Sequence, residues 1–384
     1  MRPPGSTVLT GPEPTKIITS ARDRDFVVGL ESIRGIAALA VALFHSFHIL
    51  PVDGIRVYDR TLWNVPSTDG LLMRLIMIPF NGGAAVSLFF VLSGFVLALS
   101  LRRDDRALAS KGWAFALRRL LRIYPTLAIN IGLFAVFIAI IASYAPIIPV
   151  SILLPSQIVT NLLLEDFPVN GATWSLMIEL VAIPFIFFGY CIARRWGVFG
   201  LVMLILLGII TLFAKVLMFR MLIAEFVFMF FLGMLVAEIR VQNLISLTKS
   251  TARIGVITAV TVMLSARFIL GYGSKWSLLF EGLASAALIA ALVLGPKFTV
   301  HHVLEMKPLR FLGRISYSFY LYHPLALAVF VPTLTIMVAP SWLQAHPFLG
   351  SAAIAITTVA ATTLLGYGSF VLTEKPMIQL SRRF

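Results

Sequence analysis

Apolar runs of about 18 to 25 residues, the length a helix needs to cross a hydrocarbon core about 30 Å thick, recur from residue 30 to residue 372. No soluble domain fits between them. The chain therefore reads as all-α, a polytopic membrane protein of about ten transmembrane helices. The runs fall at 30–50, 76–101, 120–145, 172–192, 197–214, 219–239, 254–272, 277–295, 315–338 and 348–372. Composition agrees, since 59% of the 384 residues are hydrophobic and 12% are charged, whereas roughly a quarter of a soluble domain is charged.

The longest stretch outside the spans is the N-terminal tail. Residues 1–25 hold Pro, Gly, Ser, Thr and scattered charges without sustained periodicity, and they are expected to form a disordered cytoplasmic tail ahead of a membrane domain over 26–380. The tail has no apolar core followed by a cleavage site, so the first span is expected to supply the insertion signal. Cys191 is the single cysteine, which excludes an intramolecular disulfide. No Cys or His pairs stand at zinc spacing, and no metal is expected.

The formal charge of +14 sorts by loop. Placing the N-terminus and every second loop on one side puts 23 Lys and Arg there against seven on the other, with Arg34 inside the first span. By the positive-inside rule both termini are cytoplasmic. The excess charge then reads as an orientation signal and an affinity for anionic membrane lipids, not as a nucleic-acid site. No repeat of 20 to 50 residues and no correspondence between halves, of the kind many transporters show, is evident.

Ionisable groups inside a span need a partner, a wet cavity or a function. Arg34 and His45 are eleven residues apart in the first span, which places them on one helix face about 16 Å apart. The plain alternative pairs Arg34 with Glu31 and leaves His45 a satisfied core residue. In the second span, Ser93 and Gly94 read first as small residues that let helices approach closely. Arg118, Arg119 and Arg122 open the third span, with Arg118 and Arg122 on one face. Arg122, the deepest, suits bidentate phosphate binding. The fourth span places Ser175 and Glu179 on one face, and Glu225 and Glu281 sit at similar depths in the sixth and eighth. These point to a polar cavity open to the outer side with His45 near its floor. In the ninth span Ser316, Tyr320 and His323 share a face, and Pro324 loosens the helix there. His48, His301, His302 and His346 are given no role.

Taken together, Arg34 and His45 as R-x10-H, FFVLSGF (89–95), RRLLRIYP (118–125), TWSLMIE (173–179), SYSFYLYHP (316–324) and TEKP (373–376) resemble the acyltransferase family 3 membrane proteins over about residues 26 to 380. The resemblance implies about ten transmembrane helices in the bacterial inner (cytoplasmic) membrane. It also implies transfer of an acyl group, usually acetyl, from cytoplasmic acyl-coenzyme A to a hydroxyl of a saccharide or similar acceptor. The family's essential arginine and histidine fall on Arg34 and His45. Some members carry a fused extracytoplasmic hydrolase-like domain; this sequence stops shortly after Pro376 and resembles the stand-alone members.

On that basis His45 is expected to act as general base or as acyl carrier. Arg34, Arg118 and Arg122 are expected to hold the polyanionic coenzyme. Glu179 is expected to orient the imidazole or to bind acceptor hydroxyls, with Ser93, Trp174, Ser175, Tyr320 and His323 supporting. The competing expectation is a glycan or lipid transporter or flippase, because intramembrane Arg, Glu and His also line transport paths.

Overall fold

The computed structural model describes residues 21–52, 55–65, 67–143, 150–214 and 223–384. Most of these are helical, in the order α1 (Ala21–His48), α2 (Thr68–Ile76), α3 (Gly82–Arg102), α4 (Leu108–Ala142), α5 (Pro155–Leu162), α6 (Trp174–Phe213) and α7 (Ile223–Val241). There follow α8 (Lys249–Leu270), α9 (Lys275–Val293), α10 (Thr299–Leu304), α11 (Lys307–Met337), α12 (Pro340–Ala345), α13 (Pro347–Ser369) and α14 (Lys375–Ser381). Among the described residues there is no strand beyond one isolated bridge, Val52 to Ile55.

Eight of the described helical stretches are long and apolar enough to cross a membrane. One of them, α6, is two helices joined at Gly197, whose φ of 57° and ψ of −140° interrupt the helix. Glycine takes that conformation at no steric cost. Helix α7 spans 19 residues and keeps Glu225, Glu238 and Arg240 near its ends. All ten apolar runs read from the sequence thus fall on helices. The third begins earlier than expected, at Leu108 rather than 120. The intervening residues are mostly helix formers, so the helix continues past the apolar segment. Of the expected segments, 1–20, 144–145 and 219–222 lie outside the described residues.

Helix α1 lies between α11, α3 and α13, and α7 lies between α3 and α6. Glycines set the closest crossings. A Cβ on Gly94 would stand 2.0 Å from the Phe230 carbonyl oxygen, and one on Gly233 would stand 2.0 Å from that of Val91, so α3 and α7 touch backbone to backbone. Gly35 and Gly313 do the same for α1 and α11, at 2.5 Å or less from facing backbone atoms. Without water to drive association, such close van der Waals contact is what holds membrane helices together. Ile254, Ile257, Ile356 and Leu364 point outward and are exposed, as lipid-facing residues are.

The bundle has two distinct ends. Arg106 donates to the Phe384 carbonyl, Arg240 donates to that of Val293 at 2.8 Å, and Leu247 N–H donates to that of Leu294 at 3.0 Å. These contacts gather the α3–α4, α7–α8 and α9–α10 turns and the C-terminal segment at one end, here the basic end. The segments around α2, α5, α12 and the α8–α9 turn form the other.

Candidate active site

Helix α1 presents two polar side chains toward the interior, and α11 faces them. His45 Nδ1 lies 2.9 Å from His323 Nε2, with the two rings within 6° of parallel. On its far side, His323 Nδ1 meets the Tyr320 carbonyl oxygen. Local sequence explains that contact. Pro324 has no N–H, so the helical bond it would have given to the carbonyl four residues back is missing, and the Tyr320 carbonyl is left for the imidazole.

Protonation states follow from this chain of contacts. A carbonyl only accepts, so His323 Nδ1 carries its proton and donates. A neutral imidazole has one N–H, which leaves His323 Nε2 an acceptor. His45 must then donate from Nδ1, and in the neutral imidazole its Nε2 keeps the lone pair. The orientation of that lone pair is set by a partner 278 residues away in sequence.

Toward the basic end a small cavity is lined by Arg34, Phe89, Ser175, Glu179, Ser316 and Tyr320, among others. Arg34 forms no hydrogen bond or ion pair among the described residues, and the Glu31 pairing is not made. Its guanidinium instead lies within electrostatic reach of Arg122, Glu179, Glu374 and Arg119. Glu179 accepts from Arg119 at 3.1 Å, and Arg119 also donates to Ser93 Oγ at 2.9 Å. Glu179 therefore lines the Arg34 cavity, not the space at His45. Ser93 serves to hold Arg119, while its neighbour Gly94 serves packing. Ser175 Oγ and Tyr320 Oη are 2.9 Å apart, and both hydroxyls reach the Ala172 carbonyl, at 3.1 and 3.2 Å.

Arg118 is placed differently from Arg122. It pairs with Asp104 at 2.8 Å beside the α3–α4 turn. Hydrogen bonds from Arg106 and Arg118 hold the Asp104 carboxyl well below the usual carboxylate range. Two residues to which the sequence assigned no individual role join the site. One is Arg119, the arginine that faces Glu179. The other is Glu374, which follows α13 in a single π turn, Phe370–Glu374, and accepts from Ser318 Oγ at 2.8 Å. The only sequence signal for Glu374 is its place in the TEKP motif.

Away from the basic end, two cavities meet at His45. The first, ≈ 400 Å³, is lined by His45, Trp174, Glu225, Arg267, Tyr272 and Tyr320, among others. It shares Val86 and Tyr320 with the Arg34 cavity. Arg267 is gripped by Glu281 through two bonds of 2.7 and 3.0 Å, and Ser87 donates to the same carboxylate at 3.1 Å. Glu281 is thus fully buried behind Arg267 and does not line the cavity, whereas Glu225 does and pairs with Lys275. The second cavity, ≈ 450 Å³, is lined by His45 and His48 of α1, by His323, by apolar residues of α4 and α11, and by Ile49, Ile152 and Val169 from the adjoining segments.

Membrane-crossing helices here bury an imidazole pair between Arg34 and two chambers, an arrangement suited to an integral membrane enzyme. The chain belongs to acyltransferase family 3: the family model, an acyltransferase domain, matches residues 27–367. It is an acyltransferase, and not the transporter that the polar intramembrane residues alone would also allow. No curated protein and no solved structure is significantly similar to it.

Proposed function

We propose that the enzyme moves an acyl group from acyl-coenzyme A, which arrives at the basic, cytoplasmic end, to a hydroxyl of a saccharide or similar acceptor held at the other end. The observation that carries this reading is the position of His45. His45 lines the polar chamber, which shares Val86 and Tyr320 with the Arg34 cavity, and its Nδ1 bond to His323 leaves Nε2 as the nitrogen for a substrate.

Arg34 is the group best suited to the donor. It is a permanent cation with no partner among the described residues, and it lines a cavity of ≈ 30 Å³, room for about one water, so its donors meet phosphate once the helices around that cavity part. Arg122 adds positive potential there, while Arg119 is offset by its pairing with Glu179. Arg118, neutralised by Asp104, contributes at the rim. From Arg34 the pantetheine arm reaches inward along α1 over about 16 Å to His45.

In the transfer step His45 Nε2 takes the proton of the acceptor hydroxyl as its oxygen attacks the thioester carbonyl. The carbon–sulfur bond breaks, and the coenzyme leaves as a thiolate that takes up that proton. The His45 Nδ1–H bond to His323 fixes the tautomer needed for this and spreads the positive charge that develops. Tyr320, which lines both the polar chamber and the Arg34 cavity, donates to the carbonyl oxygen as it becomes negative by turning its hydroxyl away from the Ala172 carbonyl. On the acceptor side Trp174 lines the chamber with an aromatic ring and Glu225 with a carboxylate, groups that suit sugar rings and hydroxyls.

The test is release of free coenzyme A from acyl-coenzyme A by the purified protein in lipid nanodiscs, with a panel of saccharide acceptors. Acceptor-dependent release supports the reading. Failure to bind coenzyme A at all would overturn it.

A further inference from the structure

The second chamber at the imidazole pair has no part in the transfer step as written. Its described lining contains no Lys, Arg, Asp or Glu, and apart from the imidazoles it is built from side chains such as Phe134, Ile138, Leu327, Ala328 and Val331. The chamber across His45 differs in kind, because Glu225 and Arg267 line it. One chamber suits a sugar and the other a hydrocarbon.

We infer that, given the acyl transfer proposed above, the apolar chamber between α1, α4 and α11 receives the hydrocarbon chain of the donor's acyl group, so that the enzyme uses acyl groups well beyond acetyl. Connectivity supports this occupant. The thioester carbonyl has to lie at His45 for the hydroxyl to attack it. The carbonyl carbon bears sulfur on one side and the acyl chain on the other. Sulfur leads back toward Arg34, so the chain enters the space that His45 and His323 border. A lipid carrier bearing the acceptor fits less well. Its hydrocarbon is separated from the sugar by phosphate, and among the described residues no Lys or Arg lines this chamber to meet one.

Size agrees. An apolar cavity of about 150 Å³ holds a benzene, and this one, open on one side, offers ≈ 450 Å³. A chain of about eight carbons is accommodated by that comparison, whereas an acetyl methyl leaves most of the space unfilled. The bonds made and broken are those of the transfer step, the chain travelling with its carbonyl carbon.

Titration of the full chain in lipid nanodiscs with S-ethyl, S-butyl and S-octyl coenzyme A, thioethers that cannot react, tests the assignment without an acceptor. Affinity is expected to rise about three- to fourfold per methylene up to the limit of the chamber. Ala328→Phe, which fills it, should cut the octyl-to-ethyl affinity ratio at least tenfold. If Ala328→Phe does not fold, Leu327→Ala, which widens the chamber, should extend the rise to S-decyl coenzyme A. Equal affinity for the three thioethers overturns the inference. So does a chain-length preference that both variants leave unchanged, since it then comes from the bilayer. Coenzyme A binding without chain dependence removes this inference alone, while absence of coenzyme A binding removes the acyl transfer reading with it.

Discussion

His45 Nδ1 and His323 Nε2 lie 2.9 Å apart, and the Tyr320 carbonyl that receives the other His323 nitrogen is one the helix cannot use, because Pro324 follows. A backbone defect in α11 thereby dictates which nitrogen of His45 is free. His323 is a positioning residue on this account. His323→Ala should lower kcat about 10²- to 10⁴-fold, the range general base catalysis contributes, with little change in donor KM. Pro324→Ala, which restores the helical N–H, should lower kcat by a smaller factor and leave His323 in place. Equal losses in KM and kcat for both variants would assign His323 a structural role instead.

Arg34 has no partner among the described residues, whereas Arg118 is held by Asp104 at 2.8 Å. Coenzyme A titration should separate them. Arg34→Ala should weaken binding about 10- to 100-fold, the range for hydrogen bonds to a charged group. Arg34→Lys should recover part of this, because lysine keeps the charge but not the planar fork. Arg118→Ala should have the smaller effect. Arg122→Ala should fall between them, since Arg122 lies within electrostatic reach of Arg34. Unchanged affinity in Arg34→Ala would return that residue to anchoring.

Arg267 and Glu281 form the most enclosed ion pair of the site, with side-chain exposures of 9% and 0%. Removing one partner of a buried pair costs about 3–5 kcal/mol, because the other charge is left without compensation. Glu281→Ala should therefore depress the thermal unfolding temperature strongly. The double variant Arg267→Met/Glu281→Leu should regain most of the loss. A double variant as unstable as the single would show that packing, not charge, is what the pair supplies.

The spans were readable because each needs about twenty apolar residues, a signal carried within one segment. Even the division of α6 showed, since 194–197 breaks the apolar run with two arginines and a glycine. Pairings between segments were not readable. Arg118 and Arg122 share a face by spacing, so they drew attention over Arg119. Yet it is Arg119 that faces Glu179, because the rotation of α4 is set by α6 and α11, on which its own sequence is silent. Likewise nothing in SYSFYLYHP names His45 as the partner of His323. A glutamate in TEKP, just past the last apolar run, gives no sign that α13 returns it to the interior beside Ser318.

Orientation rests on charge. The 23 Lys and Arg assigned to one side of the ten spans, against seven on the other, include those at the basic end, where Arg106 meets the C-terminal residue. Reporter fusions after Arg106 and after Lys375 should report cytoplasm, and one at Glu165 the opposite side. Arg106 and Glu165 on the same side would end this arrangement.

The central claim is that the free Nε2 of His45 takes the acceptor's proton. His45→Gln keeps hydrogen bonding but cannot accept a proton near neutral pH. The direct measurement is single-turnover release of coenzyme A by His45→Gln in nanodiscs, with donor affinity measured on the same sample. The account requires coenzyme A binding within about threefold of the wild type, since Arg34 lies about three helical turns away, together with a transfer rate lowered at least about 10²-fold. Near-normal transfer by His45→Gln would contradict it.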